Sequence, residues 1–362
     1  MTASFHHRNN QVPRGFSLGS HTPHRSWGFS PWGMLSCVLG LILLAPTSLQ
    51  AQHKKPDAPN RATLLHTANV YVSANADSPP ILTIAPGHEI IIDARNGAWL
   101  DIFANTETPE DADPNSKPEF TEPVHANAPS AGWIRDKGVV GPSTPNGDTL
   151  LFGAAAESEA QAQQPHAPAG AAETAHLLYR RLLDYFPDSR YAPQAAFRAA
   201  DLRWQLEKAD IATLPSAHEQ DAYLRPQIYE GDLKQVIKYF PNTPEEALAA
   251  YDLLDNKLCG DWQGLTRCPE QETQLYLKYA ARYPHGPKSA EALYNAAFRQ
   301  ASVVAMYLAN DDHHAADQAI KNTQSLADQL SHDFPASAYA PRAQALAFKL
   351  RQGIPITGND RD

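Results

Sequence analysis

The feature that most constrains the fold is an aromatic residue followed by proline, which occurs four times in the second half of the chain. The four steps are Phe186-Pro187, Phe240-Pro241, Tyr283-Pro284 and Phe334-Pro335. When the copies are aligned on Pro187, Pro241, Pro284 and Pro335, the residue eight positions later is always alanine: Ala195, Ala249, Ala292 and Ala343. An aliphatic or aromatic residue also precedes each proline by five positions. Agreement at one register indicates an internal repeat over 173–352.

The first copy shows how one repeat unit should fold. Apolar residues recur at spacings of three and four from Ala175 to Phe186, which is the pattern of one helix face. Pro187 ends that helix, because proline has no amide hydrogen and its ring clashes with the preceding turn. Pro193 suits the first turn of a second helix, and the alanines after it allow close packing. A single pair cannot bury its apolar face alone, so four helix–turn–helix pairs are predicted to stack.

Units of this kind resemble the tetratricopeptide repeat, whose period is about 34 residues. Here the prolines are separated by 54, 43 and 51 residues, so each unit must contain longer helices or inserts. The variety with Phe-Pro at the end of the first helix resembles that of the outer-membrane-assembly lipoproteins and of periplasmic coordinators of cell division. The resemblance implies an all-α solenoid whose concave groove binds a protein or peptide partner.

A separate region, 60–142, has the pattern of a small all-β domain. Short runs rich in β-branched and aromatic residues occur at 62–66, 69–73, 81–84, 89–93, 99–103 and 132–135. Turn signals separate them, including Pro86-Gly87 and Asn96-Gly97, and Asn-Gly between apolar runs is a strong hairpin signal. Many short strands at this spacing favour a small barrel or sandwich.

The order of motifs in this region resembles a bacterial SH3-like (SH3b) domain. The resemblance is carried by Asn69-Val70-Tyr71, Gly87-His88-Glu89, Gly97-Ala98-Trp99 and Gly132-Trp133-Ile134. An acidic, proline-rich insert at 105–130 separates the last two strands and departs from the family pattern. The resemblance implies a spacer or a domain that contacts cell-wall peptide, and makes Tyr71, Trp99 and Trp133 candidate ligand contacts. The alternative, and the more common role, is that the two tryptophans fill the interior of the small barrel.

The N-terminus has the pattern of an export signal over 1–51. No Asp or Glu occurs before Asp57, whereas Arg8, Arg14 and Arg25 precede a short apolar run that ends at Pro46. Cleavage after Ala51 is the interpretation we favour, and an uncleaved membrane anchor is the alternative. Cys37 lies at the start of the apolar run, where a lipid-bearing cysteine would not be placed. The predicted location is the periplasm or cell envelope.

Between the two predicted domains, 143–172 is dominated by Ala, Gln, Pro, Gly and Ser. Such a composition has little to bury, so a disordered or partly helical linker is expected. The predicted fold class is therefore multidomain, with an SH3-like barrel followed by a tetratricopeptide-like helical solenoid.

Cys259 and Cys268 are predicted to form a disulfide. They are close in sequence, and cysteines that reach an oxidising compartment tend to pair. Removal of Cys37 with the signal would leave an even number of cysteines, which agrees with this interpretation. Catalytic dithiols more often have the Cys-x-x-Cys spacing, so a structural role is favoured.

Net charge and the absence of known motifs disfavour several classes of protein function. The formal net charge of −10 disfavours a nucleic-acid partner, which would require a basic face. No motif for a catalytic nucleophile, nucleotide, cofactor or metal is present, and His313-His314 is interpreted as part of a solvated, acidic loop or helix start. The sequence predicts an exported, non-enzymatic scaffold that binds a protein or peptide, with the barrel contacting peptidoglycan. The alternatives are a component of outer-membrane protein assembly, and an accessory to or degenerate member of the cell-wall enzymes.

Overall fold

The computed structural model describes residues 60–106 and 129–358. The predicted signal at 1–51 and nearly all of the insert predicted at 105–130 lie outside the described residues. In the described ranges the chain forms an antiparallel sheet followed by a series of helices, which confirms the expected order of a β part and a helical part.

The sheet is a seven-stranded half-barrel. Its strands are β1 (Arg61–Leu64), β2 (Ala68–Tyr71), β3 (Pro80–Ile84), β4 (Glu89–Asn96), β5 (Trp99–Ala104), β6 (Ser130–Arg135) and β7 (Val139–Val140). Their spatial order is β3-β2-β6-β5-β4-β1-β7. All six predicted runs overlap strands, whereas the short β7 was not predicted. Alternate residues of β5 point inward, so Leu100, Ile102 and Ala104 join the core with Ile134 and Val70.

The helical part begins earlier than the sequence predicts. Its helices are α1 (Gly147–Ala162), α2 (Ala171–Tyr185), α3 (Ala192–Ala212), α4 (Gly231–Tyr239), α5 (Pro244–Asp252), α6 (Arg267–Arg282), α7 (Ser289–Ala309), α8 (His313–Asp333) and α9 (Tyr339–Arg351). No helix in the described part of the chain combines the length and apolarity needed to cross a bilayer.

The segment 143–172, expected to be a disordered or partly helical linker, is partly helical and is packed on the rest of the helical part. This segment contains α1, which packs along α2 and buries Leu151 and Ala155 in the same cluster as Leu178. Glu159 of α1 is also buried, and the hydroxyl of Tyr179 donates to its Oε2 at 2.9 Å. The Ala and Gln content that indicated disorder is compatible with a helix, because alanine and glutamine are good helix formers.

Each aromatic–proline step ends the first helix of a pair. The amide of Phe186, Phe240, Tyr283 or Phe334 donates to the carbonyl of the residue four positions earlier, and the proline follows. The pairs are α2 with α3, α4 with α5, α6 with α7, and α8 with α9. Ala195, Ala249, Ala292 and Ala343 have no exposed surface. These alanines are therefore contact points between helices, where a larger side chain would hold the helices apart.

The sheet packs directly against the helices. The turn between β3 and β4 contains Gly87, whose carbonyl accepts a hydrogen bond from Arg181 Nε of α2 at 3.0 Å. Arg181 also lies 3.9 Å from the carboxylate of Glu89, which pairs with Arg61 at 3.0 Å. Val140 of β7 belongs to the cluster formed by α1, α2 and α3. The two parts therefore share a core instead of being joined by a free tether.

Candidate functional site

The outer face of the sheet brings together the three candidate ligand contacts predicted from sequence. Tyr71 of β2 pairs with Trp133 of β6, and Trp133 pairs in turn with Asp101 of β5. Trp99 lies two residues before Asp101 on the same strand and pairs with Arg135. Cross-strand partners and residues two apart point to the same side of a sheet. All five side chains therefore lie on the face opposite to the core.

One aromatic ring on this outer face, that of Trp99, is in contact with a cation. The ring centroids of Tyr71 and Trp99 are 5.6 Å apart with the planes nearly perpendicular. The guanidinium of Arg135 lies 4.0 Å from the centroid of the Trp99 ring, a cation–π geometry. Trp133 is half-buried, whereas Trp99 is only 8% exposed. A planar or apolar ligand would reach Trp133 and Tyr71 directly, and would reach Trp99 only if Arg135 moved.

The two tryptophans differ in burial, since Trp99 is buried and Trp133 is half-buried. The cluster that fills the half-barrel is formed by aliphatic side chains and contains neither Trp99 nor Trp133.

A second candidate site is a shallow groove in the helical part, with a volume of about 250 Å³. It is lined by Thr273, Gln274 and Leu277 of α6, Gln300 of α7, and Asn322, Ser325 and Leu326 of α8. None of these side chains is charged. Its lining therefore combines hydroxyl and amide groups with two leucines, a mixture that suits the main chain of a peptide and small apolar side chains.

The polar groups of this groove form a chain of hydrogen bonds between three helices. Gln300 Nε2 donates to Thr273 Oγ1 at 3.3 Å, and Asn322 Nδ2 donates to Gln300 Oε1 at 2.8 Å. Gln318 Nε2 donates to Asn322 Oδ1 at 2.9 Å. Gln274 and Ser325 are exposed at the rim. The network orients the floor of the groove, and the rim residues remain accessible to a ligand. The repeat pattern predicted stacked helices but did not indicate these polar residues.

The predicted disulfide residues lie beside a buried ion pair that the sequence analysis missed. The Sγ atoms of Cys259 and Cys268 are 2.11 Å apart, at disulfide distance, and both side chains are buried. Glu272 and Arg299 are 1% and 4% exposed, and Arg299 Nε donates to Glu272 Oε2 at 2.9 Å. Glu272 Oε1 accepts hydrogen bonds from the amide of Cys259 and from Trp262 Nε1. This arrangement holds the disulfide loop on α6 and α7 and points to a structural role.

Asp252, at the end of α5, is a half-buried carboxyl group that no sequence pattern indicated. Its Oδ2 accepts no hydrogen bond from the described part of the chain. Burial, together with the nearby carboxylates of Asp201 and Asp255, raises the pKa of Asp252 to about 8. At neutral pH this carboxyl group is therefore mostly protonated in the folded protein.

The pKa of Asp252 predicts a pH dependence of stability. The folded state binds more protons than the unfolded state between the ordinary aspartate pKa of 3.8 and about 8, so the contribution of Asp252 to stability is lost as the pH rises through this window. Asp252→Asn removes the ionisable group, and we expect the variant to exceed the wild type in free energy of unfolding by about 2 kcal/mol at pH 8 and by less near pH 4. Urea denaturation across this pH range measures the difference. Asp317→Asn on the exposed side of α8 is the control, and parallel pH profiles for Asp252→Asn and the wild type would contradict the assignment.

The histidines singled out by the sequence are exposed. His313 and His314 begin α8, where the side chain of Asp312 accepts a hydrogen bond from the amide of Ala315 at 3.0 Å. The interpretation as a solvated helix start is confirmed. Within 60–106 and 129–358, no group of three or more His, Cys, Asp or Glu side chains is arranged to hold a metal ion.

Comparison of the chain with models of known protein families finds no match, and comparison with curated proteins finds none either. The chemistry of the outer sheet face and of the groove is thus the basis for assigning a function.

Proposed function

We propose that this protein is an exported, non-enzymatic scaffold that binds a protein or peptide in the groove between α6 and α8. In the same proposal, the outer sheet face contacts peptidoglycan. The periplasm or cell envelope is the proposed location, because the N-terminal pattern is that of an export signal and the buried cysteine pair suits an oxidising compartment.

The proposal includes a finer description of the fold. The half-barrel is proposed to be SH3-like, on the basis of the Gly-x-Trp and Gly-Trp-Ile motifs around Trp99 and Trp133. The helical part is proposed to be a solenoid of the tetratricopeptide type. Its support is the regular alternation of antiparallel pairs and the equivalent position of each aromatic–proline step at the end of the first helix.

The observation that carries the proposal is the groove itself. Stacked helical pairs leave α6 and α8 on either side of α7, and the lining of the resulting depression is uncharged and rich in amides. Amide side chains can both donate to and accept from a peptide backbone. A groove of this composition supports binding through main-chain hydrogen bonds, with Leu277 and Leu326 contacting small apolar side chains.

Site-specific crosslinking in cells tests the groove. A photo-reactive residue is placed at Gln274 or Ser325 on the rim, and in parallel at Gln194 of α3, which is exposed and distant from the groove in the sequence of helices. We expect the two rim positions to capture the same protein, and Gln194 not to capture it. The further change Asn322→Arg, which places a long charged side chain in the groove, should abolish the crosslink.

The matched control for this substitution is Asp317→Arg, which adds the same side chain to an exposed position of α8 outside the groove lining. This control should leave the crosslink intact. Capture that is equally strong at Gln194, or that persists in Asn322→Arg, would refute a specific groove partner.

The peptidoglycan contact has a separate test. The full chain is sedimented with purified peptidoglycan, and Trp133→Ala is expected to reduce the bound fraction by about tenfold, as for the loss of a central aromatic contact. Tyr223→Ala removes a 79% exposed aromatic ring elsewhere and should have no effect. If the wild type remains in the supernatant, the sheet face has another role and the proposal for the groove is unaffected.

A further inference from the structure

One face of α9 differs from the equivalent faces of the earlier repeat units. Thirteen positions after the proline of each unit, the first three residues are Ala200, Leu254 and Ala297, which are 3%, 8% and 0% exposed. In the fourth unit the residue is Phe348, which is 54% exposed. The equivalent position is buried in three units, whereas in the fourth it exposes a large apolar side chain to solvent.

A second position shows the same difference. Seventeen residues after the proline, Trp204, Leu258 and Ala301 are 1%, 3% and 0% exposed. The fourth residue is Gln352, which is exposed. In the first three units both positions lie on the side that the following unit covers, so the difference in the fourth unit concerns this side and not one residue.

The first three units are covered by helices. The cluster that contains Ala200 and Trp204 also contains Leu233 and Val236 of α4, and the cluster that contains Ala297 also contains Leu326 and Leu330 of α8. In the described part of the chain, α9 packs against α7 and α8, and no helix covers the side that carries Phe348. By comparison with the first three units, the side of α9 that carries Phe348 is the side on which a further helix would pack.

The exposed side of α9 has a specific chemistry. At about 100° per residue, Pro341, Ala345 and Phe348 form one apolar stripe along the helix. Lys349 and Arg342 flank the stripe on one side, and Arg351 lies on the other. The helix contains these three cations and no Asp or Glu, in a chain whose formal net charge is −10.

The three cations do not pair with carboxylates of the described residues. Arg342 lies over the rings of Tyr294 and Tyr339 at 4.5 and 5.3 Å, and Arg351 donates to the side chain of Gln324. Lys349 is exposed. The basic groups on both sides of the apolar stripe are therefore available to an acidic partner.

We propose that this surface, the α9 face (Pro341, Arg342, Ala345, Phe348 and Lys349), docks an amphipathic helix from a partner protein. The apolar side of that helix covers Phe348, with Ala345 and Pro341 permitting close approach, and acidic residues along its edges meet Arg342, Lys349 and Arg351. Two copies of this chain would bring the same cations together, which disfavours self-association through this surface. The surface is separate from the groove, so the proposal does not depend on the function proposed above.

Two synthetic peptides test the charge requirement. Both are labelled amphipathic helices with the same leucine stripe, and they carry either glutamate or lysine along its edges. Binding to the full-length chain is measured by fluorescence anisotropy. We expect the glutamate peptide to bind at least about tenfold more tightly than the lysine peptide, and added salt to weaken its binding.

Two variants test the location. Phe348→Ala should weaken binding of the glutamate peptide by about tenfold or more, since a central aromatic contact is removed from an exposed position that the fold does not need. Leu150→Ala, at a 45% exposed position of α1, is the control and should bind like the wild type. The proposal is overturned if the glutamate peptide does not bind, if both peptides bind equally, or if Phe348→Ala has no effect. It is also overturned if sedimentation reveals a dimer that Phe348→Ala dissociates, because the occupant would then be a second copy.

Discussion

Replacing Glu272 by alanine is expected to lower the free energy of unfolding by about 3–5 kcal/mol, the range for removing one partner of a buried ion pair. The variant leaves the guanidinium of Arg299 buried without its carboxylate. It also removes the acceptor of the Cys259 amide and of Trp262 Nε1, at 3.0 and 3.1 Å. Each of these donors would become unsatisfied in a dry environment, which adds to the loss. Urea denaturation followed by circular dichroism measures the change.

The control for this variant is Glu157→Ala, an exposed glutamate of α1, which should alter stability by less than about 0.5 kcal/mol. A double variant, Glu272→Leu with Arg299→Met, distinguishes the loss of the ion pair from the cost of leaving one charge buried without a partner. Because both charges are replaced by apolar groups of similar size, we expect it to be more stable than Glu272→Ala alone. A loss below about 1 kcal/mol in Glu272→Ala would mean that the carboxylate does not organise the disulfide loop.

The second large effect is expected at the contact between the sheet and α2. Gly87 has a φ of +85°, and a Cβ built on it would lie 2.7 Å from Leu177 Cβ and 3.2 Å from the amide nitrogen of Leu178. Gly87→Ala therefore combines backbone strain of about 1–2 kcal/mol with an overlap that costs about 1–3 kcal/mol more. We expect a total loss of about 2–5 kcal/mol in the free energy of unfolding.

A matched glycine isolates the contact from the backbone strain. Gly97 has a φ of +58°, but a Cβ there would meet nothing within 4 Å. Gly97→Ala should therefore cost only about 1–2 kcal/mol. If the two variants lose equal stability, the turn at Gly87 does not press against α2 and the shared core of sheet and helices would have to be reconsidered.

Local sequence signals account well for the elements and poorly for their contacts. The strands follow from short β-branched runs between turns, and the helix ends follow from proline, because each signal acts on a few adjacent residues. The contacts of Glu272 with Arg299 and of Arg181 with Gly87 join residues 27 and 94 positions apart. No local pattern specifies such a pair, since a glutamate or arginine in a helix is usually solvated.

For the candidate sites too, the sequence indicates local elements but not the contacts between them. The motifs around Trp99 and Trp133 placed aromatic residues on strands, but which side of the sheet they occupy depends on register, and a shift of one residue would reverse it. The composition of 143–172 allowed partial helix but did not indicate that α1 is packed, because this depends on its contact with α2, which a window of sequence does not contain.

Because the sheet and the helices share a core, a fragment that ends at residue 142 would lose part of its packing. Val140 of β7 and Leu65, just after β1, pack with α1 and α2, and the carbonyl of Gly87 accepts a hydrogen bond from Arg181. A truncated sheet would expose these apolar groups and lose that donor, so it is expected to aggregate or unravel. If such a fragment failed to bind a ligand, the failure could result from unfolding of the sheet. Ligand contacts of the sheet are therefore better mapped by single side-chain substitutions in the intact chain.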